Sequence, residues 1–219
     1  MKAFVSWSGG KDCMYALHKF LSGNGNQVEC LVNFCEADSL KSRSHGLDAG
    51  LIKAQAEAMK IPLIQEPLTS GSYEFHFKEV AGRLKEAGIY AGVFGDIYLK
   101  EHRDWLERVC RESGIVAVFP LWGQPTHTLL QDFIADGYKT LVVSVKDDAK
   151  FRPLLGQIFN QELFSDLAEM EGVDPCGENG EYHSFVIDGP LFHHSVNYES
   201  GEIYHSGNHF FLPLNNIEK

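Results

Sequence analysis

Along the first half of the chain, the spacing of apolar and polar residues switches repeatedly between strand and helix periods. Residues 2–7 hold Phe4, Val5 and Trp7, a bulky run suited to a buried strand. Ser8-Gly9-Gly10 must then turn sharply. From Cys13 to Leu21 the apolar residues recur at helical spacing, with Gly23 and Gly25 as stop signals. Residues 27–35 (QVECLVNFC) predict a second buried strand. Leu47, Leu51, Ile52, Ala54, Ala56, Ala58 and Met59 predict an amphipathic helix over 47–60. Residues 61–64 open a third strand, with Pro62 near its start, where a missing N–H matters least. Tyr73, Phe77, Val80, Ala81 and Leu84 mark one face of a helix over 70–88. A strand over 90–94, a helix over 100–113 and a strand over 115–119 follow, closed by Pro120-Leu121-Trp122.

Four strand–helix units and a fifth strand predict an α/β fold, a doubly wound parallel sheet with its ligand site at the strand C-termini. A helix over 126–135 and a strand over 139–145 come next. After about residue 146 the pattern changes to a helix over 157–171, a glycine-rich acidic loop over 174–186 running into a strand, and a tail with turns at 188–190, 199–201 and 206–208. That tail reads as antiparallel hairpins. The expected division is a larger domain over 1–122 and a smaller α+β C-terminal domain over 123–219.

Composition narrows the reading further. A chain of 219 residues with 44% hydrophobic content can bury a sizeable core. Its net charge of -11 argues against nonspecific binding to nucleic acid or to an anionic membrane, because both need a basic face. The five cysteines form no C-x-x-C pair, so they read as core thiols of a reducing cytosol, and a cytoplasmic location is expected. No charged-then-apolar leader and no apolar run of membrane-spanning length is visible.

Several segments carry candidate chemistry. A strand, a Gly-Gly turn and a helix start present backbone N–H groups and a positive dipole end, and Lys11 adds a full charge, so Ser8 to Lys11 can cradle a phosphate. The same turn can also serve only to join strand and helix. It is neither G-x-x-x-x-G-K-[ST] nor G-x-G-x-x-G. The polar loop over 36–48 is either a solvated connector or a segment whose Arg43, Ser44 or His45 reaches a ligand. Asp96, after the fourth strand, is either a site carboxylate or a helix cap. Glu178 and Glu181, three apart in a glycine-flanked loop beside His183, can hold Mg²⁺, grip an amine or transfer a proton, or form an acidic turn. His193, His194, His205 and His209 fit no tight metal-ligand set.

The string Ser8-Gly9-Gly10-Lys11-Asp12 resembles the pyrophosphate-binding loop of the ATP pyrophosphatases, written Ser-Gly-Gly-x-Asp-Ser. It is followed in order by Gly95-Asp96-Ile97, Pro120-Leu121-Trp122, the segment from Asp174 to Val186 with its Gly-Glu-x-Gly-Glu-Tyr core, and Asp188-Gly189-Pro190-Leu191-Phe192. Together these resemble the diphthine–ammonia ligase family of PP-loop ATP pyrophosphatases over nearly the whole chain. The resemblance implies an adenine nucleotide α-hydrolase-like, Rossmann-like fold. It also implies ATP and Mg²⁺, with Ser8, Gly9, Gly10, Lys11, Asp12, Cys13 and Asp96 at the nucleotide and Asp12 at the metal. His45, Gly177, Glu178, Gly180, Glu181 and His183 are implied on the acceptor and ammonium side, and Lys11, Glu178 and Glu181 in catalysis.

The implied reaction adenylates an acceptor carboxylate, releases pyrophosphate, then transfers ammonia and releases AMP. The acceptor in that family is diphthine on an archaeal or eukaryotic elongation factor. Another acceptor, for example in RNA modification, and a non-catalytic adenine-nucleotide-binding module stay open as alternatives. Exposed hairpin edges in the tail also allow a homodimer. Two departures stand out. Cys13 replaces the usual serine, which leaves a packing residue or a helix-activated thiol. Ser184 stands where threonine is common.

Overall fold

The computed structural model describes residues 1–37, 47–69 and 72–217. Arg43, Ser44 and His45 lie outside the described residues. The first half builds β1 (Lys2–Ser6), α1 (Lys11–Leu21), β2 (Gln27–Glu36), α2 (Ala49–Met59), β3 (Leu63–Leu68), α3 (Tyr73–Glu86), β4 (Ala91–Val93), α4 (Lys100–Ser113) and β5 (Val116–Val118). The five strands form one sheet in the order β3-β2-β1-β4-β5, and every neighbouring pair is parallel. This is the doubly wound order expected from the strand–helix alternation. Its direction of winding reverses at β1, between β2 and β4, where such sheets open a crevice at their C-terminal edge.

Side-chain alternation along β1 divides the core. Ala3, Val5 and Trp7 face the cluster that holds Met14 and Leu17 of α1 and Leu51 and Ile52 of α2. Phe4 faces the opposite cluster, with Phe77 of α3, Phe94 and Val109 of α4. The Phe4 ring meets the rings of Phe77 and Phe94 edge-on, with centroids 6.4 and 6.2 Å apart.

The second half contributes α5 (Thr126–Ala135), β6 (Lys139–Lys146), α6 (Gln161–Glu169), β7 (Tyr182–Asp188), β8 (Tyr198–Ser200), β9 (Tyr204–Ser206), β10 (His209–Phe211) and β11 (Leu214–Asn216). A second sheet runs β7-β6-β10-β9 and is antiparallel throughout. Helix α6 is shorter than its apolar pattern suggests. Asn160 caps it, accepting from Leu163 N at 2.8 Å, while Ile158 just before it bridges to Leu141 of β6. In the tail, β9 and β10 form the expected hairpin around Gly207. The other two turns do not make hairpins. Strand β8 pairs with the distant β11, and after Gly189 the chain crosses to α2, where His193 N donates to Ala58 O at 2.8 Å. Among the described residues, no helix is long and apolar enough to cross a membrane.

The two sheets share the larger core cluster, which joins Trp7 and Met14 to Leu141, Val143 and Phe185. A backbone hydrogen bond joins them at the Gly-Gly turn, where Val186 N of β7 donates to Gly9 O at 3.0 Å. Gly9 has φ +84, the left-handed region that glycine enters freely, and a Cβ there would lie 2.7 Å from Ile52 Cδ1. Gly95, after β4, is needed for a different reason. A Cβ on it would lie 2.8 Å from the Asp12 carbonyl carbon and 2.9 Å from Cys13 N, both backbone atoms of α1. Replacing Gly95 with alanine should therefore push the end of β4 away from α1. A destabilisation of about 1–3 kcal/mol, read from denaturant midpoints, is expected.

Candidate functional site

The crevice at the sheet edge is a cavity of about 660 Å³. Ser8, Lys11, Asp12 and Cys13 line one side, Gly95, Asp96 and His102 another, and Gly177, Glu178, Gly180, Tyr182, His183 and Ser184 the side supplied by the second half. Phe34, Tyr73, Phe94 and Trp105 form an aromatic end. Tyr98 OH donates to Asn179 Oδ1 at 3.4 Å, which ties the α4 side of the rim to the acidic loop. Topology thus brings together two segments that lie more than 160 residues apart in the chain.

The helix start is not capped by its own residue. Gly10 occupies the N-cap position without a side chain, and Lys11 N donates instead to Ser184 Oγ of β7 at 3.2 Å. Gly10 N donates to Ser8 Oγ at 3.4 Å. Two of the N–H groups expected to be open to a phosphate are therefore directed at hydroxyls. The Lys11 side chain is 5% exposed. A buried ammonium must be paired, and Lys11 Nζ reaches both Asp12 carboxylate oxygens at 2.8 Å, donates to Cys176 O, and lies 5.3 Å from the centre of the Tyr182 ring. Burial alone would lower its pKa, but the negative charge of Asp12 and the neighbouring Tyr182 and Cys176 more than offset that, and the group is held well above its ordinary value. Lys11 is therefore a fixed cation shared by both halves rather than a free lysine on a helix.

The carboxylates around it carry the opposite tension. Burial raises the pKa of Asp12 against the pull of Lys11. Burial also raises Asp96, whose Oδ1 lies 3.6 Å from His102 Nδ1. Asp96 is not the helix cap, since Leu99 holds that position in α4. Glu178 is pushed up to about 7, first by burial and then by the charges of Asp12, Asp96 and Asp174, against the pull of Lys11. His183 is pushed down to about 4 by burial, with His209 and Lys11 adding to the effect, so it is neutral near pH 7.

Glu181 is placed differently from Glu178. It is 4% exposed and folds back into its own loop. Its Oε1 accepts from Asp174 N at 3.0 Å and Asn179 Nδ2 at 3.1 Å, and its Oε2 accepts from Asn179 N at 2.9 Å. It does not line the cavity. The two carboxylates therefore do not face one ligand together, because one is spent holding the shape of the loop that presents the other. Cys13 is buried in this setting. Burial raises its thiol, which donates to Gly10 O at 3.2 Å and accepts from Ser8 Oγ at 3.4 Å. Beyond the site, His209 Nε2 lies 3.2 Å from Gly180 O, and His205 Nε2 lies 2.9 Å from Asp147 Oδ2.

Sequence reasoning missed Gln55 and Asn33. Gln55 is fully buried on α2 and bonds to Trp7, Gly9 and Val186. Asn33, at the end of β2, donates to Trp7 O at 2.8 Å, while its buried Oδ1 has no partner among the described residues. The available signal was a polar residue inside an otherwise apolar helix face or strand.

Fold and cavity together define an α/β protein with a doubly wound parallel sheet and a crevice at its switch point. A family model described as diphthamide synthase N-terminal domain matches residues 1–117, and one described as diphthamide synthase C-terminal domain matches residues 125–219. The chain belongs to the diphthamide synthase family. It is 28% identical over 243 aligned residues to the diphthine–ammonia ligase of Mus musculus, covering 96% of this chain and 88% of that protein. It is 27% identical over 242 residues to that of Homo sapiens, covering 98% and 89%. The diphthine–ammonia ligase of Schizosaccharomyces pombe is 29% identical over 215 residues, covering 88% of this chain but 35% of that longer protein. Among solved structures, a predicted subunit of tRNA methyltransferase from Methanocaldococcus jannaschii aligns with a TM-score of 0.46 at 15% identity, over 85% of this chain and 97% of that one.

The Glu178 environment sets a pH dependence of stability. Its folded pKa of about 7 lies above the ordinary carboxyl value of 4.5. Between those two values the folded state holds a proton that the unfolded state releases, so stability falls as pH rises through that window and levels off above about 7. Melting curves across pH 4 to 8 should show this slope, and Glu178→Gln should flatten it. An unchanged slope in the variant would assign the titration to other groups.

Proposed function

We propose that this chain is an ATP-dependent amide-forming ligase that adenylates an acceptor carboxylate and then transfers ammonia to it. The observation that carries this reading is one cavity with Ser8, Lys11 and Asp12 from either side of the Gly-Gly turn on one wall and Glu178 on the other. Membership of the diphthamide synthase family and the activity for which its relatives are named support it. Residues 1–122 would form the nucleotide half and residues 123–219 the acceptor half.

The aromatic end, with Phe34, Tyr73 and Trp105, suits the base of ATP. The triphosphate then runs along Ser8 to Cys13. An acceptor carboxylate oxygen attacks the α-phosphorus, and the bond to the bridging oxygen of pyrophosphate breaks. Lys11 stabilises the charge that develops on the departing pyrophosphate. To serve it, the ammonium must exchange part of its hold on Asp12 and Cys176 O for phosphate oxygens. Ammonia nitrogen next attacks the acyl carbon of the adenylate, the C–O bond to AMP breaks, and the amide forms. Glu178, with a pKa near neutrality, suits the base that takes the proton from the attacking nitrogen. Neutral His183 beside it can accept a hydrogen bond from ammonium or acceptor. Glu181 keeps the loop in shape.

Mg²⁺ in phosphate sites is held by one or two carboxylates and completes its shell with phosphate oxygens and water. Asp12 and Asp96 fit that demand, since both line the cavity and both are held above their ordinary pKa by burial in a negative setting that a cation would relieve. Among the described residues no group of three or more metal-ligating side chains is assembled, so the phosphates would complete the site. Mg²⁺ would supply charge neutralisation on the phosphate oxygens.

The direct test is incubation with ATP, Mg²⁺, ammonium chloride and elongation factor 2 bearing diphthine. Acceptor-dependent release of AMP and pyrophosphate is expected, and ADP with inorganic phosphate would defeat the reading. Lys11→Ala should lower that rate about 100- to 1,000-fold, the usual loss for one fixed donor at a developing anion. Full nucleotide binding without any turnover would point instead to a non-catalytic module.

A further inference from the structure

We infer that Gln55 is the positioning residue that sets the nucleotide loop and the acceptor loop in register. The inference rests on the ligase reading above but concerns a residue outside the cavity wall. Gln55 sits on α2, is 0% exposed, and makes three hydrogen bonds with one amide. Its Oε1 accepts from Trp7 Nε1 at 2.8 Å. Its Nε2 donates to Gly9 O at 3.0 Å and to Val186 O at 2.6 Å.

The orientation of this amide follows from its partners. An indole N–H can only donate, and backbone carbonyls can only accept, so Oε1 must face Trp7 and Nε2 must face the two carbonyls. Gly9 belongs to the Gly-Gly turn of the first half. Val186 belongs to β7, the strand that leaves the acidic loop and carries His183 and Ser184 to the cavity. One buried side chain therefore fixes the distance between the turn that holds the phosphates and the strand that presents the acceptor.

Removing the amide leaves two carbonyl dipoles turned toward the same empty position and an indole N–H without its acceptor, all inside the core. The halves would not separate, because Val186 N still donates to Gly9 O and Lys11 N to Ser184 Oγ. Their relative register would relax instead. Nucleotide binding needs the first loop and tolerates such a shift. Bond formation between two substrates held by two loops does not, since a displacement near 1 Å can cost on the order of 100-fold in rate.

The test compares wild type with Gln55→Leu and Gln55→Glu, using ATP binding by titration calorimetry and pyrophosphate release with elongation factor 2 bearing diphthine and ammonium chloride. For Gln55→Leu, ATP affinity should stay within about threefold while turnover at saturating ATP falls about 10- to 100-fold. An unchanged turnover overturns the inference, as does a loss carried entirely by ATP affinity. In Gln55→Glu the protonated carboxyl can still donate to one carbonyl, whereas the ionised one sets negative charge against both. Its turnover relative to wild type should therefore fall as pH rises, a signature that decides the matter even if the leucine variant does not fold. A ratio that does not vary with pH overturns the inference. A wild type that binds ATP but releases no pyrophosphate defeats the ligase reading itself, a result distinct from a fully active Gln55→Leu.

Discussion

A lysine ammonium taken out of water needs partners, and this need shapes the molecule around Lys11. A single half of the fold supplies too few. Asp12 comes from the same helix turn, but the Cys176 carbonyl and the Tyr182 ring come from the acidic loop and β7 of the second half. The same strand caps the helix through Ser184 and bonds to Gly9 through Val186. The antiparallel sheet thus completes the turn at the edge of the parallel sheet. Without it, the helix start would lack a cap and Lys11 would lack half its coordination.

The charge balance around this cation tilts to the negative side. Asp12, Asp96 and Glu178 line the cavity beside Lys11, and burial, with the negative charges of neighbouring carboxylates adding to it, raises the proton affinity of all three. A cation brought into this cavity would lower the repulsion between these carboxylates.

The parallel sheet was readable because its strands and helices each carry a strong period and each strand is followed by its own helix. Phe4 against Val5 reports which side of β1 faces which core, and Phe77 with Leu84 marks the one face of α3 that packs beside Phe4. The tail was less readable. The run at Tyr198–Ser200 has a turn beside it, which suggests a local hairpin, but its partner Leu214–Asn216 lies beyond an intervening hairpin, and local turn chemistry carries no signal for that pairing. At the site, the residue types of Ser8 to Asp12 and Glu178 marked segments that the fold brings to one cavity. Spacing did not separate Glu178 from Glu181, because i and i+3 in a loop say nothing about which carboxylate meets backbone N–H groups and which meets solvent. Gln55 and Asn33 were silent for the same reason: a buried amide is identified by its partners, and those lie on other elements.

The Lys11–Ser184 contact spans 173 residues of chain. On a ribosome the first parallel strands and α1 emerge long before β7 exists, so the start of α1 must wait, uncapped, for nearly the whole polypeptide. Contacts of this sequence separation close large loops and form late in folding. The Gly-Gly turn therefore reaches its final geometry only with the last third of the chain, and a truncated product keeps the glycine turn without the partners that shape it.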